Sequence, residues 1–183
     1  YLGYDQKQFK PDLPKEKIKE VLVKHNISQP YFFYLGRLEK KKNVLGLINA
    51  FNKAIAQNNN DGIKLVLAGL AGLGYEEIKE AIEKNNLSDK IIQLGWVDQA
   101  DLPYLMAGAL ALVMPSFYEG FGLPVLEALA CGLPVIGSSS VAIPEIVAGA
   151  ALLVDPNDTA KLAEAMAKII NNDELRQELS EAG

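Results

Sequence analysis

The stretch YFFYLGRLEKKKNVLGLINAFNKAIAQN, residues 31–58, sets two periodicities side by side. Its first six residues, YFFYLG, are aromatic or aliphatic without interruption and stop at a glycine, the pattern of a strand buried on both faces. From Asn43 to Asn58 the apolar residues recur at helical spacing and give way to a polar, asparagine-rich loop at 58–60. A buried strand, a basic loop and an amphipathic helix in direct succession form half of a parallel crossover unit.

The same alternation extends in both directions. Upstream, KEKIKEVLVKHN after Pro14 reads as a helix. Downstream, the strands IKLVLAG (63–69), KIIQLG (90–95), ALALVMP (109–115), PVIGS (134–138) and ALLVDP (151–156) alternate with helical segments. Those segments are YEEIKEAIEKNN (75–86), a helix from near Asp98, one from Pro124 to Ala130, a turn at IPEIV and a helical run from DTAKLAEAMAKIINN to the end. Apolar strands separated by amphipathic helices require a parallel sheet covered on both faces. The expected fold class is α/β: an open, doubly wound, mostly parallel sheet in a single Rossmann-like domain.

Composition narrows the function. The chain has 183 residues, 49% hydrophobic and 22% charged, enough to bury a core without staples. A net charge of -5 argues against a general nucleic-acid or acidic-membrane binder, so an anion site must be a local cluster. The single cysteine, Cys131, lies in an apolar stretch and reads as a buried structural residue in a reducing, cytoplasmic setting. The single histidine, His25, reads as a solvated helix residue. Prolines, glycines and serines disqualify the uncharged run 128–144 as a membrane span, and no signal pattern opens the chain. Three glycosylation-type sequons, at Asn26, Asn86 and Asn157, read as chance occurrences. The chain begins without a methionine and stops just after a charged helix, which suggests a part of something longer.

In such sheets ligands gather over the carboxyl ends of the strands. The loop after YFFYLG holds Arg37, Lys40, Lys41 and Lys42. Lys40 and Lys41 read as a solvated charge run; Arg37, directly after a buried strand, and Lys42, at the next helix, would clamp a phosphate or diphosphate. GLAGLG (69–74) departs from the dinucleotide order of glycines and follows the second strand, so a turn for close packing is the favoured reading. SFYEGFGLPVLEALACG (116–132) combines a flexible turn at Gly120 and Gly122, a helix start at Pro124 and two carboxylates, Glu119 and Glu127. Free N–H groups at a helix start suit an anion, whereas a carboxylate suits vicinal hydroxyls. Glu127, placed in the first helical turn, could equally be a dipole partner. A diphosphate flanked by hydroxyl-rich rings meets every requirement, and that is a nucleotide sugar.

Two glutamates with seven residues between them in EGFGLPVLE, followed by ALACGLPVIGS, IPEIV and ALLVDP, resemble the carboxyl-terminal half of retaining, two-Rossmann-domain (GT-B) glycosyltransferases of the group 1 type. GYDQKQFKP, YFFYLGRLEKKKN and LGWVDQADLPYLMAGALALVMPS extend the resemblance over nearly the whole chain. It implies that residues 1–183 form a donor-binding domain, with the acceptor-binding amino-terminal domain and a final crossover helix outside this chain.

The resemblance also implies roles. Arg37 and Lys42 would neutralise the diphosphate and stabilise the departing nucleotide, and Glu119 would lie near the donor sugar. Glu127 would bind ribose hydroxyls, and Gly120, Phe121, Gly122 and Leu123 would bring backbone to sugar and phosphate. Val97 would help hold the base through its backbone. No cofactor and no metal are implied. The donor would be GDP-, UDP- or ADP-linked, with mannose favoured on overall resemblance, and the isolated chain would bind donor but turn over little. Two other classes remain open: a non-enzymatic nucleotide-sugar binding module, and another sugar-nucleotide enzyme such as an epimerase, which the scarcity of histidine disfavours.

Overall fold

The computed structural model describes residues 3–58, 60–140, 142–147 and 149–183. The strands are β1 (Tyr31–Leu35), β2 (Lys64–Ala68), β3 (Ile91–Gly95), β4 (Ala111–Met114), β5 (Val135–Ser138) and β6 (Ala151–Val154). Between and around them run α1 (Lys15–Lys24), α2 (Val44–Asn58), α3 (Tyr75–Lys84), α4 (Leu102–Ala107), α5 (Leu123–Ala130), α6 (Ile143–Val147), α7 (Thr159–Asn171) and α8 (Asp173–Ala182). Each expected strand and helix is present, but the helix expected from near Asp98 begins only at Leu102, after a turn in which Asp101 N–H donates to Asp98 O. Of the asparagine-rich loop expected at 58–60, Asn58 ends α2 and Asn59 lies outside the described residues.

The strands form one parallel sheet in the order β3-β2-β1-β4-β5-β6. The continuous apolar runs occupy its centre, and Tyr31 through Tyr34 and Leu65 through Ala68 are fully buried. At the edges β3 and β6 are only partly covered, because each has a single neighbouring strand. The order reverses between β1 and β4: β2 and β3 build outward on one side, and the chain then returns to β4 on the other. The loops leaving β1 and β4 therefore diverge, and a crevice opens at their carboxyl ends.

Local chemistry fixes where the helices stop. After α1, Asn26 adopts a left-handed conformation (φ 54°), and Asn26 N–H and Ile27 N–H donate back to the Val23 and Leu22 carbonyls. Asn86 (φ 53°) ends α3 and Gly132 (φ 66°) ends α5 with the same pair of bonds. Two of the three sequon asparagines thus serve as helix caps.

His25 departs from expectation. It is mostly buried, and its Nε2 lies 2.8 Å from Asp101 Oδ2, which also accepts from Lys24 Nζ at 2.7 Å. Burial works against the Asp101 charge, but these two partners hold its carboxyl below the usual carboxylate range. The pair ties α1 to the start of α4 across 76 residues of sequence, which the charged pattern of α1 alone does not reveal. Cys131 is buried as expected, and burial pushes its thiol up to about 11. No helix among the described residues is long and apolar enough to cross a membrane.

Candidate functional site

The loops after β1 and β2 are zipped together. Leu38 N–H donates to Leu70 O, Gly72 N–H to Leu38 O and Lys40 N–H to Leu73 O, all at 2.9–3.0 Å. This explains the glycines of GLAGLG. A Cβ on Gly69 would sit 1.9 Å from Gly36 O, and one on Gly72 would sit 2.8 Å from Glu39 Cβ. The segment is a close-packing turn, as its glycine order implied. It also steadies a candidate site residue, since Arg37 Nη2 donates to Ala71 O at 3.1 Å and Arg37 Nε lies 3.7 Å from Glu39 Oε2. The guanidinium is otherwise open to solvent, with the Arg37 side chain 61% exposed. Below it, Tyr34 donates its hydroxyl to Arg37 O at 2.8 Å. Burial, aided by the nearby Glu119 and Glu39, pushes that hydroxyl far above its ordinary range and keeps it a donor. Lys40 pairs with Glu77 on the surface, in keeping with a solvated charge run, and the exposed Lys41 ammonium reaches back to the largely buried carboxylate of Glu39.

Lys42 turns the other way. Its ammonium crosses the switch point to Glu119 Oε2 at 2.6 Å and also reaches Tyr118 O at 3.4 Å. Both side chains are largely buried, 16% and 9% exposed. The second carboxylate oxygen of Glu119 accepts from Ser116 Oγ at 2.7 Å. Glu119 is thus fixed at both oxygens, so its position and plane are determined by the fold. Sequence reading had singled out Lys42 and Glu119 separately; the structure brings them into contact. Ser116 was missed, although its place three residues before Glu119 on a tight loop is a usable signal.

Beyond Glu119 the chain runs through Gly120, Phe121 and Gly122 to the start of α5. Gly122 takes a left-handed backbone (φ 76°) as the residue preceding the helix, and Pro124 is the second helical residue. The Val125 and Leu126 N–H groups bond the Gly122 carbonyl, and Pro124 has none. The N–H groups of Gly120, Phe121, Gly122 and Leu123 make no hydrogen bond to another described residue. Four consecutive uncommitted donors at a helix entrance form a favourable anion surface. Phe121 is part-exposed beside them.

Glu127 is the fifth residue of α5, so it lies beyond the first turn where the helix dipole acts strongly. The expectation that placed it in that first turn is corrected, and with it the dipole reading loses its ground. Glu127 is half-buried, and burial pushes its carboxyl above the usual range. Val97 sits two residues past β3 with its side chain turned inward and buried, so this position presents backbone rather than side chain. Among the described residues no group of three or more His, Cys, Asp or Glu side chains is placed to hold a metal ion.

Comparison with known proteins agrees with this fold. The O-antigen chain mannosyltransferase B of Escherichia coli is 37% identical over 158 residues, a match covering 86% of this chain and 41% of that protein. The chain therefore spans less than half the length of this relative. Sucrose-phosphate synthase from Thermosynechococcus elongatus superposes with a TM-score of 0.80 at 28% identity, over 98% of this chain and 45% of that one. The carboxyl-terminal domain of a group 1 glycosyl transferase from Francisella tularensis, solved by itself, superposes with a TM-score of 0.83 at 25% identity, over 97% and 93% of the two chains. The sequence profile of the glycosyl transferases group 1 matches residues 15–183. With its Rossmann-like sheet and a cationic and a carboxylate loop meeting where the strand order reverses, the chain belongs to the glycosyl transferases group 1 family.

Proposed function

We propose that this chain is the donor-binding domain of a retaining glycosyltransferase that moves a hexose from a nucleotide diphosphate sugar to an acceptor bound by an amino-terminal domain. The observation that carries the proposal is the meeting of unlike groups at the switch point. Arg37 and Lys42 come from the β1 loop, and Glu119, Glu127 and four uncommitted N–H groups come from the β4 loop and α5. Cations and N–H donors suit the diphosphate; carboxylates suit hydroxyls on the rings that flank it.

In this reading Arg37 and Lys42 take up the charge that develops on the departing nucleoside diphosphate, the step where electrostatic stabilisation acts most strongly. No metal or other cofactor is required for it. Glu119, held by Lys42 and Ser116, faces the donor sugar; Glu127 accepts from the ribose hydroxyls; Gly120, Phe121, Gly122 and Leu123 line the phosphate and sugar; the Val97 backbone holds the base. Mannose is the favoured hexose, supported by the identity to the E. coli mannosyltransferase, and GDP, UDP and ADP are the nucleotides to compare. A cytoplasmic location is part of the same proposal, consistent with a lone, buried thiol.

A calorimetric screen of GDP-, UDP- and ADP-sugars against the chain tests the reading. Saturable binding of one of them, with little or no sugar transfer by the isolated chain, is the expected result. No binding by any, or transfer at the rate of a full-length enzyme, would overturn it.

The same titration carries a pH signature. Because burial raises the folded-state value of Glu127, its stability contribution is present below the ordinary value of 4.5 and is lost as pH rises through the raised value. Ribose hydroxyls that donate to the carboxylate favour its ionised form, so donor binding expels the proton. Affinity should therefore climb as pH rises toward the raised value of the free chain and level off above it. Glu127→Gln should abolish the climb, and an unchanged pH profile in that variant would refute the assignment.

A further inference from the structure

Asn43 occupies an unusual place. It ends the short 3-10 turn Lys40–Lys42 in a left-handed conformation (φ 55°, ψ 35°), and its carbonyl accepts the Leu47 N–H at the start of α2. It is 7% exposed. Its side-chain amide nitrogen donates both hydrogens to carbonyls from distant loops: Pro115 O at 3.1 Å, just past β4, and Pro156 O at 2.7 Å, just past β6. In the sheet β5 lies between those two strands, so one side chain gathers the ends of β1, β4 and β6. The amide lies over Gly46, where a Cβ would come within 2.3 Å of Asn43 Oδ1. Asn43 and Gly46 thus form a unit in which the glycine supplies the space the amide fills.

The neighbouring contacts run along the same seam. Phe117 N–H donates to Lys41 O at 3.0 Å, and Lys42 reaches Tyr118 O and Glu119. Residues 41–43 are therefore laced to residues 115–119, with Asn43 buried at the inner end and Lys42 and Glu119 at the outer end. We infer that Asn43 is a positioning residue: its two hydrogen bonds, admitted by Gly46, fix the spacing of the β1 and β4 loops and so hold Lys42 and Glu119 together across the crevice. The Asn43 amide hydrogen-bonds neither of those side chains. Its consequence for donor binding rests on the function proposed above, whereas the contact it governs does not.

The test needs no donor. Asn43→Gly keeps the left-handed backbone and removes both donors; Gly46→Ala keeps the asparagine and fills its space with a residue that favours helix. In the native background, a double-mutant cycle of Lys42→Met and Glu119→Gln in urea unfolding should give a coupling of about thirtyfold or more in the unfolding constant. In either the Asn43→Gly or the Gly46→Ala background it should fall below about threefold. Hydrogen exchange at the Phe117 amide should also accelerate about tenfold in both variants relative to the buried Leu67 amide of β2. Undiminished coupling, or Phe117 exchange that changes only in step with Leu67, would overturn the inference while leaving the donor reading untouched. Should Asn43→Gly fail to fold, Gly46→Ala gives the same two readings.

Discussion

Lys42→Ala is expected to lower stability by about 3 kcal/mol, because it leaves a largely buried carboxylate without its cation. Glu119 would retain only the Ser116 hydroxyl, and its side chain is 9% exposed, so water reaches it poorly. For a chain of this length that loss is a fall of roughly 6–12 °C in Tm. Adding Glu119→Gln removes the uncompensated charge and should recover much of the loss, which separates burial of an unpaired charge from simple loss of packing. Lys40→Ala provides the contrast. Its pair with Glu77 is half-exposed on both sides, 57% and 51%, and removing it should cost about 0–1 kcal/mol. Thermal or urea unfolding of the three variants measures all of this, and equal effects of Lys42→Ala and Lys40→Ala would show that the switch-point pair is no better protected than a surface one.

Gly69→Ala should be at least as damaging. A Cβ there would lie 1.9 Å from Gly36 O and 2.6 Å from Gly36 C, backbone atoms with no rotamer to yield. The residue also has φ 146°, a conformation that costs an alanine further strain. Relief requires parting the β1 and β2 ends, where Gly36 N–H bonds Ala68 O and Gly69 N–H bonds Gly95 O. A loss of about 4 kcal/mol or more is expected, enough to leave a marginal domain partly unfolded. Gly120→Ala is the control: a Cβ at that position meets nothing within 4 Å, and the stability change should stay within about 0.5 kcal/mol. If Gly69→Ala proved as mild as Gly120→Ala, the packing account of GLAGLG would be wrong.

The elements were legible in the sequence because burial writes a period into it. YFFYLG and the LVLA of β2 are apolar throughout since both faces of the sheet are covered, and the helices keep a single apolar stripe. The loops that carry the site were legible too, because parallel topology places strand-to-helix loops at one end of the sheet. What the sequence concealed are contacts between residues far apart along the chain. Asn43 meets Pro156 across 113 residues, and His25 meets Asp101 across 76. Neither leaves a local pattern, since a backbone carbonyl is the same acceptor whatever residue bears it. Lys42 and Glu119 were each identifiable from a motif, but their pairing depends on the reversal of strand order. Glu127 shows the opposite limit: a helix that starts at Leu123 rather than Pro124 moves it one residue further along, from the end of the first turn into the second.

The central claim is that the crevice between the β1 and β4 loops holds a nucleotide diphosphate sugar through cations on one side and carboxylates on the other. Its most direct measurement is a calorimetric titration of the chain with whichever of the GDP-, UDP- and ADP-linked sugars binds most tightly, repeated with Arg37→Ala and Glu127→Ala. On the proposed assignment each substitution removes charge-assisted hydrogen bonds to a different part of the donor, so each should weaken binding by about tenfold or more. Binding undiminished in both variants would contradict the account.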